Sequence, residues 1–242
     1  MLFTESNLFL LKIERQTITI KGIESRFKME KVIIFDMDGV IVDSEYTFLD
    51  NKTEMLREEG IDTDVSYQYQ YMGTTFEFMW QAMKEEFGLP KTVKEYIAEM
   101  NRRRQAIVAR DGVRPIKGAQ RLIHWLHQHG YRLAVASSSP MVDIKRNLKE
   151  LGVTECFEYM VTGEDVSSSK PAPDVFLRAA ELLDVDPKVC IVIEDTRNGS
   201  LAAKAAGMYC FGFANPDYPP QDLSMADKVI SDYQDIYIYL PE

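Results

Sequence analysis

VIIFDMDGVIVDSE, residues 32–45, is the stretch on which the fold turns. Four apolar residues, Val32 to Phe35, run straight into Asp36, and Asp38, Asp43 and Glu45 follow within nine positions. A short β-branched and aromatic run closed by charge reads as a buried strand whose carboxyl end opens onto a polar site. Neighbouring carboxylates repel, and a cation, a shared proton or separation must relieve them.

Further apolar runs bounded by turn signals lie at Leu133–Ala136, Tyr159–Val161, Val189–Ile193 and Met208–Phe213. Helical patterns fall between them at Ala119–His129, Met141–Leu151, Ala172–Leu183 and Gly199–Ala206, several closed by glycine at Gly130, Gly152 and Gly207. Strands alternating with helices predict a doubly wound, Rossmann-like parallel α/β core. One interval is too long: Asp36 and Ser137 lie 101 residues apart, whereas a βαβ step needs about 30. The surplus, residues 44–111, reads as helix after helix (Thr47–Glu59, Phe76–Phe87, Thr92–Arg110) and predicts an all-helical cap domain inserted after the first strand. The core domain is then 31–43 with 112–242. Residues 1–30 form an N-terminal extension, with Met29 taken as the natural start and the TITI run leaving an extra edge strand open.

Composition narrows the class. With 28 Lys and Arg against 38 Asp and Glu, a net charge of -10 provides no whole-chain footprint for nucleic acid or an anionic membrane. No 18-residue apolar run is present, and the first residues show neither a basic n-region nor a small-residue cleavage site. Cys156, Cys190 and Cys210 show no paired spacing and read as reduced core thiols, so a cytoplasmic protein is expected. Nothing in the sequence calls for an obligate protein partner. His124, His127 and His129 share one helix, but their spacing does not bring all three to one face, so no zinc site is expected.

In open α/β sheets ligands bind beyond the carboxyl ends of the strands. The groups there are Asp36 with Asp38, then Ser137, then Lys170 in SKPAPD, then Glu194 with Asp195. Each alone reads as a helix cap or a solvated loop charge; four anions, a cation and a hydroxyl on one sheet edge make an assembled site.

These residues also resemble a known family. FDMDGVIVDSE, VASSSP, SKPAPDVF and VIEDTRNGSLAAKAAGM look like the four ordered motifs of the haloacid dehalogenase superfamily, in its helical-capped phosphatase and β-phosphoglucomutase branch, over residues 31 to about 215. The resemblance implies the same sheet and cap. It makes Asp36 a nucleophile that takes a phosphoryl group, and Asp38 the acid and base beside it. Asp36, Glu194 and Asp195 suit a small divalent cation, Mg²⁺, to which the resemblance adds the Asp38 carbonyl. Lys170 and Ser137, with the Ser138 N–H implied by the resemblance, hold the phosphate. Asp43 and Glu45 fall to the connection and the start of the cap.

The substrate class expected is a small phosphorylated metabolite, a sugar or polyol phosphate. The chain departs from the mutase pattern at two places: Phe48 stands where a histidine is usual, and Met72-Gly73-Thr74-Thr75-Phe76 lacks an arginine after the glycine. Thr74 and Thr75, and Arg103 of the run Arg102-Arg103-Arg104, are the cap residues expected to meet substrate. A mutase must grip a second phosphate, so the missing arginine favours hydrolysis, with β-phosphoglucomutase-like transfer as the alternative. A dehalogenase would leave Asp38 and Glu194-Asp195 without a use. A non-catalytic binder of phosphorylated metabolites would have none for a nucleophile beside a proton donor.

Overall fold

The computed structural model describes residues 32–72 and 74–240. The readings for residues 1–30 and for Gly73 lie outside them. Six parallel strands, β1 Val32–Phe35, β2 Arg132–Ser137, β3 Tyr159–Thr162, β4 Cys190–Glu194, β5 Tyr209–Phe213 and β6 Lys228–Ile230, stand in the order β3-β2-β1-β4-β5-β6. The chain order reverses at β1, which pairs with β2 on one side and β4 on the other, so the open end of β1 is the topological switch point.

Successive residues of β1 face opposite sides of the sheet, and each side has its own core. Ile33 and Phe35 pack in a cluster with Leu122, Ile123 and Leu126 of α5 (Ala119–Gln128) and Ile144 and Leu148 of α6 (Met141–Glu150). Val32 and Ile34 pack with Phe176, Ala179 and Leu183 of α7 (Asp174–Leu183) and Ala202 and Ala203 of α8 (Arg197–Ala205). Ile33, Ile34 and Phe35 are fully buried, each contributing roughly 1.5–3 kcal/mol. That anchoring lets the strand hold a desolvated carboxylate at its end, at a cost of several kcal/mol for an unpaired ion.

Between β1 and α5 come four helices, α1 Glu45–Glu58, α2 Val65–Gln68, α3 Phe76–Phe87 and α4 Val93–Asp111. They bury a third cluster, with Met55, Leu56, Met83 and Met100 around the stacked rings of Trp80 and Tyr96, whose centroids lie 4.8 Å apart. Local chemistry sets the helix ends. Thr92 and Glu95 form a reciprocal capping box at the start of α4, Thr75 accepts from the Phe78 N–H to open α3, and Gly88 closes α3 in the left-handed conformation. The two connections to the sheet run side by side, joined by the Asp43 N–H to the Arg114 carbonyl at 2.9 Å and the Ile116 N–H to the Ile41 carbonyl at 2.9 Å.

Among the α-helices and strands, α2 and β6 were not expected from sequence. α2 is a single turn opened by Asp64, whose side chain accepts from the Ser66 N–H. β6 is an edge strand with Lys228 and Val229 exposed and only Ile230 buried. Among the described residues no helix is long and apolar enough to cross a membrane. All three cysteines are buried free thiols. His124 lies 3.5 Å from the Cys156 sulfur, and His129 stacks on Trp125, so these two histidines are engaged locally.

Candidate active site

Asp36 follows β1 directly, and its N–H donates to the Ile193 carbonyl at 3.0 Å, which ties it to the end of β4. Lys170, from the loop between β3 and α7, places its ammonium 2.5 Å from Asp36 Oδ1 and 2.9 Å from Glu194 Oε1, with the Ala136 carbonyl at 3.3 Å. The Lys170 and Asp36 side chains are each 9% exposed and that of Glu194 only 1%. Two buried carboxylates thus share one ammonium. Burial alone would lower the lysine, but Asp36 and Glu194 together raise it above its ordinary value.

The excess negative charge is the diagnostic feature. Burial pushes the Asp36 carboxyl up to about 7 against the pull of Lys170, with Glu194 and Asp38 adding to the rise. Burial, then Glu194 and Asp36, raise Asp195 well above the carboxylate range. Oxygens of Asp36, Glu194 and Asp195 all lie within 4.8 Å of one another. Asp195 Oδ1 is buried without a hydrogen-bond partner, while both oxygens of Glu194 are engaged, Oε1 by Lys170 and Oε2 by the Thr196 N–H at 2.7 Å and hydroxyl at 2.9 Å. Three hard oxygen donors, one of them orphaned, fit a divalent cation, with Asp195 the freest donor and Glu194 the most restrained.

Two glycines make room for this crowding. A side chain at Gly39 would begin 2.0 Å from Asp195 Oδ2, and its φ of +79° is one that glycine adopts without penalty. A Cβ at Gly199, in the first turn of α8, would lie 1.6 Å from Glu194 Oε1. Gly199→Ala is therefore expected to push Glu194 off Lys170 and to weaken the site for its cation about 10- to 100-fold while the helix persists. A cation titration of activity on the purified variant, alongside its circular dichroism, checks this.

Asp38 Oδ2 accepts from the Ser139 hydroxyl at 2.6 Å, and Ser139 is held in turn by its own N–H to Ser137 Oγ at 3.0 Å and by the Thr162 hydroxyl donating to its carbonyl at 2.7 Å. Ser137 is buried and Ser138 exposed. Ser139 and Thr162, which orient Asp38, and Thr196, which orients Glu194, were not singled out from sequence. The SSS run and the Thr following Glu-Asp were the available signals. Tyr218 donates to Asp43 at 2.7 Å, so Asp43 fastens the connection to the β5–β6 loop.

The cap residues divide differently from the sequence expectation. Thr75 is exposed and spent on capping α3, and the Thr74 hydroxyl donates to the Tyr71 carbonyl at 2.7 Å. Arg103 is half-buried and held in ion pairs by Glu58 at 2.6 Å and Glu99 at 2.6 Å. Its neighbour Arg104, one helical step on, lines a cleft that also has Asp38 in its wall. It stacks on Phe48 at 3.5 Å from the ring centroid and donates from Nε to Thr47 at 3.2 Å.

An open parallel sheet with a helical insertion after β1, and a buried carboxylate–lysine–carboxylate cluster at its switch point, define a hydrolase of the haloacid dehalogenase type. The model of the haloacid dehalogenase-like hydrolases matches residues 33–213, and the chain belongs to that family. It falls in the branch that holds phosphatases and β-phosphoglucomutases. A bifunctional riboflavin kinase/FMN phosphatase of Arabidopsis thaliana is 33% identical over 212 residues, covering 86% of this chain and 55% of that protein. A β-phosphoglucomutase of Bacillus subtilis is 30% identical over 220 residues, covering 87% and 93%. The crystal structure of a hydrolase of the same family from Deinococcus radiodurans, with bound phosphate and sodium, superposes with a TM-score of 0.72 at 26% identity over 86% of this chain and 93% of that one.

Proposed function

We propose that this chain is a Mg²⁺-dependent phosphatase of a small phosphorylated metabolite that works through a phosphorylated Asp36. The observation that carries the reading is the Lys170 ammonium 2.5 Å from Asp36 Oδ1, beside Glu194 and Asp195. A pure binding site would gain nothing from a buried carboxylate nucleophile, and a hydrolase has a use for every group there.

In the proposed reaction an Asp36 oxygen attacks phosphorus, the bond to the ester oxygen breaks, and Asp38 gives that oxygen its proton. Asp38 then takes a proton from water, the water oxygen bonds to phosphorus, and the acyl phosphate bond to Asp36 breaks to release phosphate. Lys170 offsets the charge of Asp36 and of the arriving dianion, and Ser137 with the Ser138 N–H supplies donors to the phosphoryl oxygens. Ser139 holds Asp38 in place. Asp36, Asp195, Glu194 and the Asp38 carbonyl would hold Mg²⁺, which supplies charge neutralisation at the phosphoryl group.

The test is release of inorganic phosphate from a panel of sugar and polyol phosphates, with and without chelator. Hydrolysis abolished by chelator and restored by Mg²⁺ is expected. Conversion of a sugar phosphate to its positional isomer without phosphate release would instead establish the mutase alternative, and absence of both would refute the reading.

A further inference from the structure

Two clefts flank the acid cluster, and their linings differ in kind. One, of about 330 Å³, lies on the Asp195 side and is lined by Glu45, Met72, Phe213 and the 218–221 loop, with no arginine or lysine in its wall. The other, of about 290 Å³, has Asp38 at one end and three arginines, Arg104, Arg114 and Arg146, in its wall between the cap and the sheet. In the proposed reaction Asp38 protonates the departing group, and Asp38 lines this second cleft.

The three arginines are not equivalent. Arg146 is neutralised by Asp143 at 2.8 Å, and Arg114 is exposed, with its guanidinium 3.8 Å over the Tyr46 ring. Arg104 is half-buried and, among the described residues, has no carboxylate within ion-pair distance. The preceding Arg102 pairs with Glu99, and Arg103 with both Glu58 and Glu99. The Phe48 ring covers one face of its guanidinium and Thr47 takes its Nε, which fixes the plane and leaves the two terminal NH₂ groups without a hydrogen-bond partner among the described residues. Burial draws Arg104 below its ordinary value, countered only in part by the charges of Asp38, Asp143 and Glu45. A desolvated, oriented guanidinium fork with free donors is the arrangement that binds an oxyanion in two-point fashion.

We infer that Arg104 is a specificity-determining residue, and that the preferred substrate carries a second oxyanion, carboxylate or phosphoryl, on its leaving group. The inference rests on the phosphoryl-transfer reading above but not on whether water or a second hydroxyl accepts the phosphoryl group. It also supplies, from α4, the cation that the segment after Gly73 lacks. A neutral leaving group would leave the buried fork unpaired, which is the situation in which discrimination between otherwise matched substrates becomes large.

Matched pairs test this: glycerol 3-phosphate against 3-phosphoglycerate for a carboxylate, and fructose 6-phosphate against fructose 1,6-bisphosphate for a phosphoryl group. Each is measured with Mg²⁺ as substrate and as inhibitor of p-nitrophenyl phosphate hydrolysis. The anionic member of at least one pair is expected to be favoured about tenfold or more, chiefly in KM or Ki, and the pair that shows it tells the two sources apart. Arg104→Met should erase that preference while p-nitrophenyl phosphate turnover stays within about threefold, and Arg104→Lys should restore part of it. Equal treatment of both pairs by the wild type overturns the inference. So does an Arg104→Met variant, folded by thermal melt, that loses rate equally on every substrate, since Arg104 would then serve Asp38 and not the ligand. If neither p-nitrophenyl phosphate nor any of the four metabolites is hydrolysed, the phosphatase reading fails separately. Calorimetric titration of the same pairs then decides, and equal affinities for both members overturn the role of Arg104.

Discussion

Asp36→Asn is expected to cut turnover by about three or more orders of magnitude on every phosphomonoester while leaving the protein folded. The substitution keeps the shape of the side chain and the backbone bond to Ile193. It removes the anion that would attack phosphorus, and a neutral amide is a poor substitute. The stability effect has a definite sign as well. Asp36 is 6% exposed and shares Lys170 with Glu194, so burying it charged costs free energy that the amide does not. The thermal midpoint of the cation-free variant should therefore equal or exceed that of the cation-free wild type. Single-turnover assays and melting curves in chelator check the two halves independently. Full activity would refute covalent catalysis, and a large drop in midpoint would mean that the carboxylate is structural.

That the place of Asp36 at the sheet edge was readable from sequence, and the orientation of Arg104 was not, has a physical cause. A strand end is a linear signal: Val32 to Phe35 are buried on both faces, so the first charged residue after them must emerge at the sheet edge. The same logic reached Ser137, Lys170 and Glu194, because each follows an apolar run in a parallel sheet whose topology is narrowly constrained. A helix face is a phase. Arg102, Arg103 and Arg104 point in three directions about 100° apart, and only packing decides which one meets the site. The spacing did contain a usable hint, since Glu99 lies four residues before Arg103 and pairs with it. Thr74 and Thr75 fell the same way, as short hydroxyl side chains that bond to nearby backbone before a helix. β6 was invisible for a different reason: an edge strand with one buried side chain has no apolar run to detect.

The Asp38 prediction separates chemistry from binding. In the proposed reaction this residue, as acid, holds a proton when the ester oxygen departs and, as base, later accepts one from water, so it would act at both steps. Its carboxylate accepts from Ser139 at 2.6 Å and has no ion pair with Lys170, which serves Asp36 and Glu194 instead. Its removal therefore disturbs the cation cluster less than loss of any of those three. Asp38→Asn is expected to leave Mg²⁺ and phosphate affinity within about tenfold and to cut steady-state turnover by about two to four orders of magnitude. The two steps should part company with an aryl phosphate, whose leaving oxygen needs little protonation. The first step then survives while the second stalls for want of a base, and phosphorylated Asp36 accumulates. Acid quench followed by mass measurement of the intact chain should find the added phosphoryl group in the Asp38→Asn variant, and not in an Asp36→Asn/Asp38→Asn double variant. A variant that turns over normally, or one that loses ligand affinity as steeply as rate, would make Asp38 a binding carboxylate and leave the proton transfers to another group.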